Sequence, residues 1–264
     1  MKSVISINKK FMSISPKELC EIIVSHKSTK GIEISVDYNS LEELKYLNDL
    51  VYEIKKHDLI LQVHGEINVE KDIQLSFIKK LESYSDYLGY PVVFTLHTIF
   101  DNDPDISLKK TAEYISSIIN EIDNNKIIVC LENLNDIRGA KRLDKDNIKS
   151  IVINDEKLFF TYDIGHDISN FGEVTNIDGY MFEDIRNVHL HTISNSLNDH
   201  MPIYKNDPNW TKIIKALEFL IINKYKYNIV YEYGLELCRG NNIYEKLDDY
   251  LNSIDFVSEK YDNL

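Results

Sequence analysis

Arginine is scarce: Arg138, Arg142, Arg186 and Arg239 are the only guanidinium groups among 30 basic residues, which face 43 acidic ones for a net charge of −13. A chain that grips duplex DNA usually displays a basic stripe to neutralise phosphates. This balance argues against tight duplex binding, although a small phosphorylated ligand needs only one or two cations. Cysteine is scarce too. Cys20, Cys130 and Cys238 lie far apart with no Cys-x-x-Cys, which excludes a thiolate zinc site and suits a reducing compartment. No stretch approaches the ~18 uninterrupted apolar residues of a membrane span. The opening Met1-Lys2-Ser3-Val4-Ile5-Ser6-Ile7-Asn8-Lys9-Lys10 lacks the apolar run and cleavage site of a signal peptide, so a cytoplasmic location is expected. With nine Gly and five Pro there is no linker, short repeat or low-complexity tract.

What is present is a chain of 264 residues, 43% hydrophobic, large enough for a sizeable core. Apolar, β-branched runs recur at intervals of about thirty residues. They predict strands at Ser3–Ile7, Gly31–Val36, Leu59–Val63, Pro91–Leu96, Lys126–Leu131, Leu158–Tyr162, Arg186–Leu190 and Asn228–Tyr231. Helical patterns lie between most of them. Ser15-Pro16-Lys17-Glu18 reads as a capping box with Pro at the first helical position. Ser40-Leu41-Glu42-Glu43 opens another helix, with Leu44, Leu47, Val51 and Ile54 on its apolar stripe. Helical periodicity returns in Ile73–Leu88, Leu108–Ile122, Trp210–Ile222 and Ile243–Phe256. After the fifth and sixth strands the helical pattern is weaker and sets no precise bounds. Strands alternating with helices over this length predict one (β/α)8 TIM barrel, an α/β domain spanning residues 1–264. A doubly wound open sheet would normally carry a Gly-rich first turn, and none is present.

The strand ends carry the chemistry. The third runs into His64, the fourth into His97 and the fifth into Glu132-Asn133. The sixth ends at Asp163, followed by Gly165-His166; the seventh supplies His189, and the eighth ends at Glu232. In a barrel these ends converge on one mouth, where active sites are built. A single such residue fits a surface ion pair, but six in register do not, because unpaired charges at a barrel mouth are costly. Imidazole together with carboxylate suits Zn or Mn, with Fe also possible, better than Mg.

Taken in order, Gln62-Val63-His64, Thr95-Leu96-His97, Leu131-Glu132-Asn133, Tyr162-Asp163-Ile164-Gly165-His166, Val188-His189-Leu190-His191, Asp199-His200-Met201-Pro202-Ile203 and Tyr231-Glu232 resemble the xylose isomerase-like TIM-barrel superfamily. That superfamily includes the sugar phosphate isomerase/epimerase group and the endonuclease IV group (apurinic endonuclease family 2). The resemblance implies a metal held by Glu132, Asp163, His189 and Glu232. Its endonuclease-like members imply a second metal on His64, His97 and Glu132, and a third on His166 and His200. Asn198 stands where that third position has Asp, Thr192 where Asp commonly follows the seventh strand, and Tyr204 where Gly usually follows Pro-Ile. Two divalent ions are therefore expected.

Hydrolysis of a phosphoester in a small phosphorylated substrate is the first expectation, with Glu132, Glu232 and His200 as catalytic residues. Isomerisation or epimerisation of a sugar or sugar phosphate at one metal is the alternative. A metal-binding barrel without catalysis is the third, motivated by the three departures. His191 is expected either to back the ligands or to face substrate, and Arg239 either to hold a phosphate near the barrel top or to form a surface ion pair.

Overall fold

The computed structural model describes residues 1–67, 70–136, 142–174, 179–194 and 199–261. Eight parallel strands close into a barrel in sequence order. They are β1 (Lys2–Ile7), β2 (Thr29–Ser35), β3 (Ile60–Gly65), β4 (Val92–Leu96), β5 (Ile127–Glu132), β6 (Leu158–Asp163), β7 (Ile185–Leu190) and β8 (Asn228–Tyr231). The described helices are α1 (Pro16–Ser25), α2 (Leu41–Lys56), α3 (Lys71–Leu88), α4 (Pro104–Ile118), α5 (Lys145–Val152), α6 (Ile164–Phe171), α7 (Gly179–Asp184), α8 (Trp210–Ile222) and α9 (Ile243–Tyr261). None of the described helices is long and apolar enough to cross a membrane.

Local chemistry starts the helices. Ser40 Oγ accepts from the Glu43 amide at 3.3 Å, closing the first turn of α2. Ser15 Oγ does the same for Glu18, but the Glu18 carboxylate is turned to Tyr244, so only half of the expected capping box forms. A complete box opens α5, where Asp144 and Asn147 cap each other. The sequence pattern is weak over α5 and α6 and sets no bounds for them, because each spans only eight residues, too short for a clear period.

Outward strand residues such as Ile32, Leu61, Phe94, Val129 and Leu190 pack fully buried beneath helix residues Leu47, Leu50, Leu81, Leu217 and Ile254. Each such side chain contributes roughly 1.5–3 kcal/mol over its exposed state. The barrel interior beneath the mouth is polar instead. Gln62, Thr95, Thr161 and Asn187 are fully buried and tied together. Gln62 Nε2 donates to Asn187 Oδ1 at 3.4 Å, Asn187 Nδ2 donates to Thr95 Oγ1 at 3.2 Å, and the Thr95 and Thr161 hydroxyls meet at 2.9 Å. Above this floor the register sets Ser35 beside His64, Glu132 beside Thr161 and Asp163 beside His189. The strand ends thereby converge at one rim.

Candidate metal centre

Glu132 ends β5 and is fully buried. Its two oxygens face different partners. Oε1 lies 2.9 Å from His189 Nδ1, whereas Oε2 lies 3.2 Å from His64 Nε2 and 3.3 Å from His97 Nε2. Two sets of donors therefore share one carboxylate. His64, His97 and Glu132 form the first, and Glu132, Asp163, His189 and Glu232 form the second, with the ligand atoms of each set within 4.8 Å of one another. In the second set His189 Nδ1 also approaches Glu232 Oε2 at 3.0 Å and Asp163 Oδ2 at 3.9 Å.

Buried polar atoms ordinarily have a partner. Here Glu132 Oε2, Asp163 Oδ2, Glu232 Oε2 and both nitrogens of His64 are buried without a hydrogen bond. Orphaned oxygens and nitrogens aimed into a shared space, with mixed imidazole and carboxylate chemistry, fit divalent ions of the Zn or Mn kind.

The supporting residues lie one layer out. His97 Nδ1 is held by Glu66 Oε1 at 2.7 Å. Asn133 brackets the Asp163 peptide: its Oδ1 accepts from the Asp163 amide at 2.8 Å, and its Nδ2 donates to the Asp163 carbonyl at 3.0 Å. Asp163 Oδ1 accepts from the His166 amide at 2.6 Å, which caps α6.

Glu33, in the middle of β2, escaped the sequence reading. It is fully buried behind both sets, with Oε2 3.2 Å from His189 Nε2 and Oε1 3.6 Å from His64 Nδ1. Asn187 Nδ2 donates to it at 3.3 Å. A carboxylate there fixes the tautomer and tilt of two ligand rings. The available signal was one acid inside the otherwise apolar Gly31-Ile32-Glu33-Ile34 run.

Electrostatics follow from this crowding. Burial opposes charge on His64, but Glu132, Glu33 and Glu232 outweigh it and carry its pKa up to about 10. His189 is burdened by burial in the same way and ends well above its ordinary value through Glu33, Glu132 and Glu232. Burial likewise acts against ionised Glu132 and Glu232, yet facing histidines hold both well below the usual carboxylate range.

Of the remaining expected site residues, His166 and His200 do come together, and His191 joins them; all three ligand atoms lie within 4.8 Å. His191 is fully buried and points at its two neighbours rather than outward to a substrate. Arg239 is not part of these sets. Its guanidinium lies 3.8 Å over the Tyr204 ring, and its amide donates to Asp249 Oδ2 at 2.8 Å. Tyr204 is thus a platform, with its hydroxyl on Asp249 at 2.5 Å. Thr192 is scaffolding as well: it bridges to Met201 and donates to Asp207 Oδ1 at 2.9 Å. Asn198 lies outside the described residues.

A cleft of about 560 Å³ opens over the first set, lined by His64, His97 and Glu232 together with Lys9, Lys10, Tyr38 and Glu66. The xylose isomerase-like TIM-barrel family model matches residues 29–247. The chain belongs to that family. No curated protein matches this xylose isomerase-like barrel in sequence. Among solved structures, 3-keto-D-glucoside 4-epimerase from E. coli aligns with a TM-score of 0.71 at 13% identity, over 98% of this chain and 99% of that one. D-psicose 3-epimerase from Clostridium cellulolyticum H10 gives 0.65 at 14%, over 98% and 99%. An AP endonuclease, family 2, from Brucella melitensis gives 0.67 at 13%, over 98% of both chains. At such identities these likenesses establish the barrel and leave the reaction to the site.

Proposed function

We propose that this protein is a metal-dependent hydrolase acting on a phosphoester of a small phosphorylated substrate. The division of Glu132 carries the reading, because each of its oxygens serves a separate donor set. His64, His97 and Glu132 would hold one divalent ion, and Glu132, Asp163, His189 and Glu232 the other. Such a pair supplies Lewis acidity, withdrawing charge from phosphoryl oxygens and lowering the pKa of a nearby water.

The chain's own residues do the rest. Glu33 and Glu66 keep the ligand rings of His64, His189 and His97 in one orientation. Glu232 lines the cleft while its buried Oε2 turns to the second donor set, 3.0 Å from His189 Nδ1. Burial opposes charge on His200, but Glu232 and Asp199 hold its pKa well above the ordinary value, so its Nε2, 3.5 Å from that oxygen, stands there as a proton donor. Lys9, exposed at the cleft rim, offers a cation to a phosphate. The surplus of acidic residues disfavours duplex DNA as the phosphoester source.

Sugar epimerisation is the second reading. Glu132 and Glu232 approach His189 from different strands, and two glutamates beside one metal could relay protons across a sugar carbon. The epimerases among the similar structures favour it. Metal analysis and two assays decide between them. The hydrolase should hold ions in both Glu132 sets, cleave a phosphoester model substrate, and lose that cleavage when His64 and His97 both become Ala. No phosphoester cleavage, with solvent hydrogen entering a ketose, would replace the first reading by the second.

A further inference from the structure

At the end of the barrel opposite the metal centre, the starts of β1 and β2 and the C-terminal part of α9 border a recess of about 350 Å³. Lysine gathers around it. Lys2 comes from β1, Lys27 from the segment after α1 and Lys30 from β2, against one lining acid, Glu259 of α9. All three lysines are exposed, and none has an ion-pair partner among the described residues. Elsewhere the acidic chain commits its lysines: Lys10 to Glu236, Lys56 to Glu53, Lys79 to Glu82, Lys110 to Asp101 and Lys126 to Asp86. On a molecule of net charge −13, three uncommitted cations around one hollow set its potential apart from that of the acidic surface.

The backbone is shaped to bring Lys30 there. Ser3 pairs with Thr29 and Val4 with Gly31, so the register slips and Lys30 is a bulge residue without a partner on β1. An extra residue of this kind re-aims its side chain out of the regular strand alternation. Gly31 lets the strand close up behind the bulge, since a Cβ there would lie 2.7 Å from the Ile60 carbonyl oxygen. Hydroxyls complete the lining. Ser258 Oγ lies 2.8 Å from Ser3 Oγ and 3.2 Å from the Tyr231 hydroxyl, and all three residues border the recess together with Ser28. Thr29, in register with Ser3, is buried with a hydroxyl that has no hydrogen-bond partner among the described residues, which is unusual for a buried polar atom. Ammonium groups and hydroxyl donors together match the several acceptor oxygens of a phosphoryl group more fully than the two of a carboxylate.

We propose that this recess binds a phosphoryl dianion, as inorganic phosphate or as the phosphate of a small ester, through Lys2, Lys27 and Lys30. The recess is larger than one phosphate group, and Met1 and Ile229 along it leave an apolar wall for the organic part of an ester. The site lies at the far end of the strands from Glu132 and is independent of the reaction performed there. The competing role for the same lysines is to neutralise the negative C-terminal ends of α1 and α9, which needs no ligand.

Calorimetric titration of the full chain as purified, with inorganic phosphate and separately with glycerol 3-phosphate, decides between the two roles. Changing both Lys27→Gln and Lys30→Gln should weaken binding at the recess about tenfold, through loss of two solvent-exposed charged contacts. The matching pair Lys27→Arg and Lys30→Arg should retain most of it. Phosphate should also raise the melting temperature of the unaltered chain, and raise that of the double Gln variant less. Tighter binding of glycerol 3-phosphate would identify an ester as the ligand, and tighter binding of inorganic phosphate the free ion. Phosphate that binds the double Gln variant with unchanged number and affinity belongs to the metal centre, and that result overturns the proposal. A double Gln variant that melts lower while phosphate binds neither protein would overturn it too, leaving the lysines as complements to the helix ends.

Discussion

His64 and His166 are buried at the same rim of one barrel, and their protonation is biased in opposite directions. Burial works against the charged ring in both. Around His64 the carboxylates of Glu132, Glu33 and Glu232 overcome it and bring the pKa to about 10. His166 has Asp163 nearby but also His191 and His200, and it stays below its ordinary value. Carboxylate supply, not depth, separates the two rings; His200, beside His166, is again carried well above its ordinary value, by Glu232 and Asp199. A cation entering the Glu132 sets must displace protons at neutral pH, while His166 already offers a lone pair.

The strongest way to break this contrast is Glu132→Gln. A neutral amide cannot bridge two cations, so both Glu132 sets should lose metal. Hydrolysis should fall by at least ~10²–10³-fold, the scale of removing one transition-state charge stabiliser. Metal content and kcat on a phosphoester model substrate check both halves. Full metal occupancy in this variant would mean that the two sets do not depend on Glu132.

A smaller loss is expected from Glu33→Gln, which touches no substrate. Losing the carboxylate that orients His64 and His189 should weaken metal binding about 10–100-fold with the barrel intact. Competition against a chelator of known affinity measures it, and Glu33→Asp should recover part of the loss. An unchanged affinity would reduce Glu33 to a buried structural acid.

Much of this was legible in the sequence, and the gaps have physical causes. Buried parallel strands read as apolar runs, so all eight were found, although their ends moved: His64, Glu132 and Asp163 lie inside β3, β5 and β6 rather than just past them. The convergence of those strand ends followed from barrel geometry. Glu33 stayed hidden because it sits mid-strand, where pattern reading expects apolar residues. His191 was visible, but its direction was not. Which way a residue beyond a strand end points depends on the close approach at Gly165 and on the return segment bridging Thr192 to Met201, and neither is local in sequence.

The contrast also has a pH signature. His64 is raised from 6.5 to about 10, so its stabilising charge in the metal-free protein is complete below pH 6.5 and is lost as pH climbs through 10. Metal binding runs the other way, since each ligand must be neutral: affinity at the Glu132 sets should rise about tenfold per pH unit for each proton displaced. Over that window the metal-free melting temperature should fall while the loaded one holds or rises. His64→Gln should flatten the metal-free curve; a variant as steep as the unaltered protein would show that His64 is not the group responsible.

The smallest effect separates two adjacent lysines and, through them, two classes of substrate. Lys9 and Lys10 both line the cleft over His64 and His97. Lys10 is committed to Glu236, with Nζ 2.6 Å from Oε2. Lys9 is exposed and has no ion-pair partner among the described residues. A phosphate entering this cleft would meet the uncommitted cation first, although solvent and salt weaken the attraction at an exposed position. Lys9→Ala should therefore raise KM for a phosphorylated substrate about two- to fivefold, leave kcat unchanged, and lose that difference at high salt. Lys10→Ala should change KM less, since it also frees Glu236 to repel the same anion. For an uncharged ketose, Lys9→Ala should change nothing. Equal kinetics for the phosphorylated substrate with and without Lys9 would place substrate recognition elsewhere, nearer the residues around His200 that line the neighbouring recess.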